Sequence, residues 1–312
     1  MTRPRSLIHV SRQLFNQPVF VTEDWASVIL SAARSELNIN LISRTDGVEI
    51  DRMGMERLAR AARADVDVRE DQRYRGDVNE VTNGIAVIPI EGTLTKSWGL
   101  DPYSGFTGYD GIKAKLIAAM EDNDVEAIML DIDSPGGAVA GCFDLVDLIY
   151  ALREENQKPI AAIANEMACS AAYAIYSAAT PGFRFVPRTG EIGSIGVLMM
   201  HTDVQKALQM EGIEVRIFRA GKWKAEGNGY EDMAKETADR IQATLDEMRD
   251  LFVNTVARNL ARPGDDVNAL KKTVRETEGL TYIGRHARDI GLADEVGSED
   301  QLWARLLERL GR

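Results

Sequence analysis

The most constraining feature of this chain is the run Val125-Glu126-Ala127-Ile128-Met129-Leu130-Asp131-Ile132, which is apolar almost throughout. A strand with one wet face alternates apolar and polar residues. A run without that alternation suits a strand covered on both faces, as in a parallel sheet flanked by helices. Two more segments read alike, Ile85-Ala86-Val87-Ile88-Pro89-Ile90 and Pro159-Ile160-Ala161-Ala162-Ile163-Ala164. Between them lie helical patterns at Tyr109 to Met120 and Val139 to Arg153. This order builds βαβ units and predicts an α/β domain.

The alternation continues. Ser170 to Ala179 reads as a small-residue helix, and Phe183 to Val186, Ile195 to Met200 and Ile213 to Phe218 read as strands. A long helix from about Tyr230 to Leu260 ends before Arg262-Pro263-Gly264. No internal repeat suggests a solenoid. Three units are expected: an arm and linker over 1–80, a main domain over 81–298 and a terminal helix over 299–312. The arm is dense in arginine (Arg57, Arg60, Arg63, Arg69, Arg73, Arg75) and has helical spacing at Trp25, Val28, Ile29, Ala32 and Ala33. That spacing suits a short helix, but a solvated interaction arm is the better reading there.

Composition excludes several function classes. The formal net charge of −12 is spread along the chain, which argues against a phosphate-binding surface and so against nucleic acid as a partner. The apolar stretch behind the basic start, Ser6-Leu7-Ile8-His9-Val10, is too short for a signal-peptide core or an anchor, so a cytoplasmic protein is expected. Two cysteines, Cys142 and Cys169, make neither a disulfide framework nor a metal cluster, and both are expected reduced. The three histidines, His9, His201 and His286, form no ligand pair, so no metal is expected.

Three segments could carry chemistry, and each has an ordinary structural reading beside the functional one. Asp133-Ser134-Pro135-Gly136-Gly137 sits between a buried strand and a helix. Its glycines admit positive φ and close approach of a ligand, and their N–H groups near a helix N-terminus could hold an oxyanion. Taken alone, a plain strand-to-helix turn is the better reading. In Ala168-Cys169-Ser170-Ala171-Ala172-Tyr173 the small neighbours leave the Ser170 hydroxyl accessible, with the Ala171 N–H able to join an oxyanion hole; the alternative is an N-cap serine. Cys169 is a rival nucleophile, but neighbouring positions point in different directions and a cysteine normally wants a histidine, so it reads as a small buried filler. The third segment, Arg219-Ala220-Gly221-Lys222-Trp223-Lys224-Ala225-Glu226-Gly227-Asn228-Gly229-Tyr230, is a loop whose lysines taken singly are surface charges. A lysine acting as a base has to be neutral, and burial beside apolar groups such as Trp223 favours that form.

Together, with Thr189-Gly190-Glu191-Ile192-Gly193-Ser194-Ile195-Gly196-Val197 and the stretch from Tyr282-Ile283-Gly284-Arg285-His286-Ala287 to Gly297, these segments resemble the signal peptide peptidase A family over roughly Gly84 to Gly297. The resemblance implies a ClpP/crotonase-like spiral of βαβ units, here behind an N-terminal helical arm, and a serine endopeptidase with a Ser/Lys dyad. It puts the nucleophile on Ser170 and the base on Lys224, with Lys222 the runner-up. It puts the oxyanion glycine on the Gly136-Gly137 pair, Gly137 before Gly136, with Ala171 as second donor and Ser194 as an aid to the lysine. Ala171-Ala172 departs from the two glycines that often follow the nucleophile and tightens the pocket.

The missing anchor, the arm and Gly-Lys-Trp-Lys-Ala-Glu-Gly-Asn are similar to the tailed-bacteriophage branch, capsid assembly or prohead proteases. That implies scaffold or capsid polypeptides as substrates, a homo-oligomer whose neighbours complete one another's dyads, no cofactor, and a place in the host cytoplasm or prohead. No scaffold region follows before Arg312, so a separate scaffold protein is expected. The alternatives are a cytosolic peptide-degrading protease of the same family, a non-catalytic scaffold-binding capsid protein, and a crotonase-type acyl-CoA enzyme, which would not need the serine and lysine together.

Overall fold

The structure, a computed structural model, describes residues 79–102, 105–155 and 158–312, and the backbone of three short strands at 19–21, 42–43 and 49–50. The arm helix expected around Trp25 lies outside the described residues. The strands are β1 (Val19–Val21), β2 (Ile42–Ser43), β3 (Glu49–Ile50), β4 (Glu80–Thr82), β5 (Ile85–Thr95), β6 (Phe106–Gly108), β7 (Ala127–Ala138), β8 (Ile160–Cys169), β9 (Arg184–Val186), β10 (Glu191–Gly193), β11 (Thr281–Ile283) and β12 (Glu295–Val296). The helices are α1 (Tyr109–Glu121), α2 (Cys142–Glu154), α3 (Ala171–Ser177), α4 (Gln205–Met210), α5 (Lys235–Leu260), α6 (Val267–Glu276), α7 (Gly284–Asp289) and α8 (Glu299–Arg309).

Strands β5, β7 and β8 run parallel at the centre of a ten-stranded mixed sheet. With α1 between β5 and β7, α2 between β7 and β8, and α3 between β8 and β9, the expected βαβ succession is present. The sheet forks around these strands. The first half of β8 pairs with β9 (Ala162 with Arg184) and its last residues with β10 (Cys169 with Gly193). In the same way β5 pairs with β4 at its start and with β6 at its end.

The unbroken apolar runs now have their cause. Along β7, Ile128, Leu130 and Ile132 enter the large core beneath α1, α2, α3 and α5, while Ala127 and Met129 point to the other face. There they meet Ile85, Ala161, Ile163, Phe185 and the buried Leu302 and Leu306 of α8. The terminal helix thus closes the second face of the sheet, and α8 is started by a capping box between Ser298 and Gln301.

Four sequence expectations are corrected. Ile195–Met200 and Ile213–Phe218 are not strands; Phe218 is 94% exposed, and Ile213 and Val215 are exposed as well. An apolar alternation makes a strand only where a neighbouring strand accepts its hydrogen bonds, and beyond an isolated bridge at Leu198 neither segment forms such a ladder. The long helix begins at Lys235 rather than near Tyr230. The Ser134–Gly137 segment is not a turn into a helix but the continuation of β7, which runs on to Ala138; α2 starts only at Cys142, after Gly141 at φ 89°.

Helix α3 is buried along its whole length and ends without exposure to water, so its last carbonyls need partners inside the protein. Arg153 Nη1 donates to the carbonyls of Ala178 (3.4 Å), Ala179 (3.2 Å) and Asn259 (3.0 Å), and Arg184 Nη1 donates to those of Ser177 (3.4 Å) and Asn259 (3.3 Å). Arg184 is held in turn by Asp294, Nε to Oδ2 and Nη2 to Oδ1 both at 2.8 Å. Burial works against charge on Asp294, but its bonds with Arg184, Arg262 and the Gly182 N–H outweigh it and hold the carboxyl below the usual range. Removing one member of a buried pair costs about 3–5 kcal/mol, so Asp294→Ala should lower the urea midpoint accordingly. Because the folded carboxyl titrates below an unfolded one, near 3.9, its stabilisation is present above that pH and is lost as pH falls through the folded value. In denaturant titrations from about pH 5 down to about pH 2, the Asp294→Asn variant should lose this part of the acid sensitivity.

Candidate active site

Ser170 stands where β8 becomes α3. Its backbone has φ 55° and ψ −117°, a conformation that a residue with a Cβ adopts only at a cost of about 1–3 kcal/mol. The surroundings impose it from both sides. The Ser170 N–H donates to the Gly193 carbonyl at 2.8 Å, and its carbonyl accepts from Ala174 N–H at 3.0 Å, the first turn of α3. The residue is 1% exposed, and its Oγ has no hydrogen-bond partner. A strained, buried, unpartnered hydroxyl is poor packing and a sensible place for a nucleophile. The N-cap alternative does not hold, since the side chain makes no capping bond.

The other candidates gather around it to differing degrees. Ala171 is the first residue of α3, where N–H groups have no intrahelical acceptor. Ser194 follows Gly193, the residue bonded to Ser170, and itself has φ 53°. The glycines come from the neighbouring strand: β7 and β8 pair as far as Ser134 and Ala168, so Gly136 and Ser170 each lie two residues past that pair. Gly136 has φ 106° and its N–H donates to Ser134 Oγ at 3.2 Å, while Ser134 Oγ donates to the Gly92 carbonyl at 2.6 Å. At Gly137 a Cβ would come within 1.9 Å of the Leu94 carbonyl oxygen, so only glycine lets β5 and β7 approach there. These amides sit on a strand edge, not at the helix N-terminus that the sequence suggested.

Neither lysine makes a hydrogen bond to Ser170 within the chain. Lys224 is exposed in the loop after Gly221, its N–H donating to the Gly221 carbonyl at 3.0 Å, and Ser170 Oγ receives nothing from it. Lys222 lies over the Trp223 ring at 3.9 Å and 3.7 Å from Glu236. Trp223 is stacked on its other partner, Arg240, at 3.5 Å and remains 41% exposed, so it does not enclose Lys224 here.

Cys169 is the last residue of β8 rather than a helical position. Burial, aided by Glu191, pushes its thiol far above the usual range, and Sγ–H donates to the Glu191 carbonyl at 3.7 Å. Cys142 is likewise buried, its thiol pushed up to about 12. Neither supplies a thiolate near neutral pH. Among the described residues no group of three His, Cys, Asp or Glu side chains could hold a metal ion, and no helix is long and apolar enough to cross a membrane.

Sequence reasoning passed over Gly193, whose carbonyl fixes the serine, and the arginines that hold α3. A signal for the latter was available: Arg184 interrupts the strand Phe183–Val186, and a charge in a buried strand calls for a partner.

A profile described as Peptidase family S49 matches residues 153–311. The chain belongs to peptidase family S49. This is the family to which the three motifs led. The matched span of this S49 chain holds Ser170, Ser194, Lys222 and Lys224, whereas the glycine pair lies before it. Capsid assembly protease C of Escherichia phage lambda is 39% identical over 303 residues, 96% of this chain and 65% of that protein. Head-tail preconnector protein GP5 of Enterobacteria phage P21 is 37% identical over 294 residues, 94% of this chain and 55% of that protein. The S49 chain therefore spans somewhat more than half the length of these relatives. Among solved structures, the ClpP1 N165D mutant from Listeria monocytogenes overlays on 69% of this chain and 94% of its own, with TM-score 0.41 and 15% identity.

Gly137→Ala should force β5 and β7 apart. A loss of about 1–3 kcal/mol in denaturant titration is expected, the usual cost of overpacking. An unchanged midpoint would mean that Leu94 moves aside freely.

Proposed function

We propose that this chain is a serine endopeptidase in which Ser170 attacks a peptide carbonyl as Lys224 takes its proton, the amides of Gly137 and Ala171 hold the tetrahedral oxyanion, the C–N bond breaks as Lys224 gives the proton to the leaving amine, and water then hydrolyses the acyl-serine ester. The observation that carries this reading is Ser170 itself, a buried hydroxyl without a partner, held at positive φ between Gly193 and the start of α3. Ser194, beside Gly193, suits a hydroxyl that steadies the lysine. The names of the two phage relatives, a capsid assembly protease and a head-tail preconnector, point to scaffold and coat polypeptides as substrates, met in the host cytoplasm or in the prohead.

Within a single chain Lys224 is exposed and makes no hydrogen bond to Ser170, so the base is proposed to come from a neighbouring copy. The segment around it carries Met210 at 89% exposure, Phe218 at 94%, and the exposed Ile213, Val215 and Tyr230. So much bare apolar surface next to a functional loop suits burial against a second copy of the chain. We therefore propose a homo-oligomer in which one protomer's Lys224 is delivered to its neighbour's Ser170.

Ser170→Ala and Lys224→Ala should each lower kcat by more than about 10³-fold, Lys224→Arg should not rescue because a guanidinium stays charged, and Lys222→Ala should stay within about threefold. Mixing Ser170→Ala with Lys224→Ala protomers at equal ratio should restore about a quarter of the sites, since one neighbour pair in four unites the two intact residues. No recovery would confine the dyad to one chain. Co-expression with the scaffold and coat polypeptides, followed by intact mass, tests the substrate: serine-dependent shortening is expected, and normal assembly with no shortening in either form would favour a non-catalytic capsid role.

A further inference from the structure

The strand β1 occupies a telling position. Along most of its length β7 is flanked by β5 on one edge and by β8 on the other. On the β5 side the pairing continues through Gly136 and Gly137, matched with Thr93 and Leu94. On the β8 side it stops at Ser134 with Ala168, because β8 then turns away through Cys169 into Ser170 and α3. The edge of β7 vacated there is taken by β1, antiparallel, with Val19 opposite Ala138, Phe20 opposite Gly137 and Val21 opposite Gly136. One edge being filled by β5, β1 lies on the side from which β8 departs, the side of Ser170.

Three properties make this edge suited to an extended peptide. Gly136, Gly137 and Ala138 present almost no side chain, so a backbone can come close. An unpaired edge binds an added strand through main-chain hydrogen bonds, a mode indifferent to most of the ligand's sequence. Ser170 is already covered, 1% exposed with a free Oγ, although a nucleophile must be reached by its substrate. The Val-Phe-Val triplet is of residues that favour strands.

We infer that the segment carrying Val19–Val21 is a ligand of the chain's own cleft, occupying in cis the strand position that a polypeptide substrate takes on Gly136–Ala138. This inference rests on the reading of Ser170 and Gly137 as peptidase groups. Substrate then enters only by displacing β1, and the tether gives the segment a high effective concentration over the edge, so that an incoming chain competes with it from the start.

The test uses the full chain, fluorescein-labelled casein and a synthetic peptide of residues 16–24. In an antiparallel ladder alternate N–H groups face the partner, so either Phe20→Pro or the double variant Val19→Pro/Val21→Pro removes donors from the β1–β7 pairing. The variant that does so should hydrolyse casein about tenfold faster than wild type and show faster amide exchange at 136–138, and the added peptide should slow it again. The same exchange change should persist in a Ser170→Ala background that cleaves nothing. Faster exchange with hydrolysis at the wild-type rate would overturn the inference, as would unchanged exchange in both proline variants. Activity retained by Ser170→Ala, or absent from every form, would instead sink the peptidase reading, and the exchange data would still decide whether β1 holds this edge.

Discussion

The structure depends on charges buried beneath one short helix. Helix α3 carries Ser170 at its head and ends among apolar residues, where bare carbonyls would be costly. Arg153 and Arg184 meet those carbonyls, Asn259 donates Nδ2–H to Ser177 Oγ at 2.9 Å, and Asp294 neutralises Arg184 from a segment more than a hundred residues away. Cations at a helix C-terminus also suit the helix dipole. Tyr173 adds a bond from its hydroxyl to the Leu292 carbonyl at 3.0 Å. With its tail fixed in this way, α3 cannot shift to relax the backbone at its head, and the strain at Ser170 is sustained by the surrounding fold.

The second constraint is the parting of β7 and β8. Parallel strands that stay paired leave no room for a ligand, and strands that separate expose unpaired amides. Here the separation occurs two residues before Ser170 on one strand and two before Gly136 on the other. Ser170, a strand edge free of side chains and the N-terminus of α3 therefore meet at one place. Gly137 is needed there for two reasons at once, contact with Leu94 on one side and open backbone on the other. On that edge the backbone of β1 pairs antiparallel with Gly136 to Ala138.

Much of the fold was legible from residues alone, for a physical reason. Strands covered on both faces lose the polar alternation, so Ile85–Ile90, Val125–Ile132 and Ile160–Ala164 stood out, and the helices between them followed. Ser170 could be picked out because small residues flank it at a strand-to-helix junction. Ile195–Met200 and Ile213–Phe218 misled, because local periodicity records only which side chains are apolar, and the second of these segments leaves its apolar residues exposed in a single chain. The glycine segment misled differently: Pro135-Gly136-Gly137 carries the composition of a turn, while pairing with β5 keeps it extended.

What the sequence by itself determined is the succession of βαβ units and the inventory of reactive groups, since burial pattern and side-chain chemistry are local properties. Only the tertiary structure decided that the glycines lie on a strand edge, that Arg184 and Asp294 lock the helix headed by Ser170, that Ser170 Oγ takes no hydrogen bond from Lys224 within one chain, and that β1 fills the vacated edge. Each of these is a meeting of segments distant in sequence. Such meetings are set by which strand finds which partner and by where buried charge must be neutralised, and no window along the chain contains both participants.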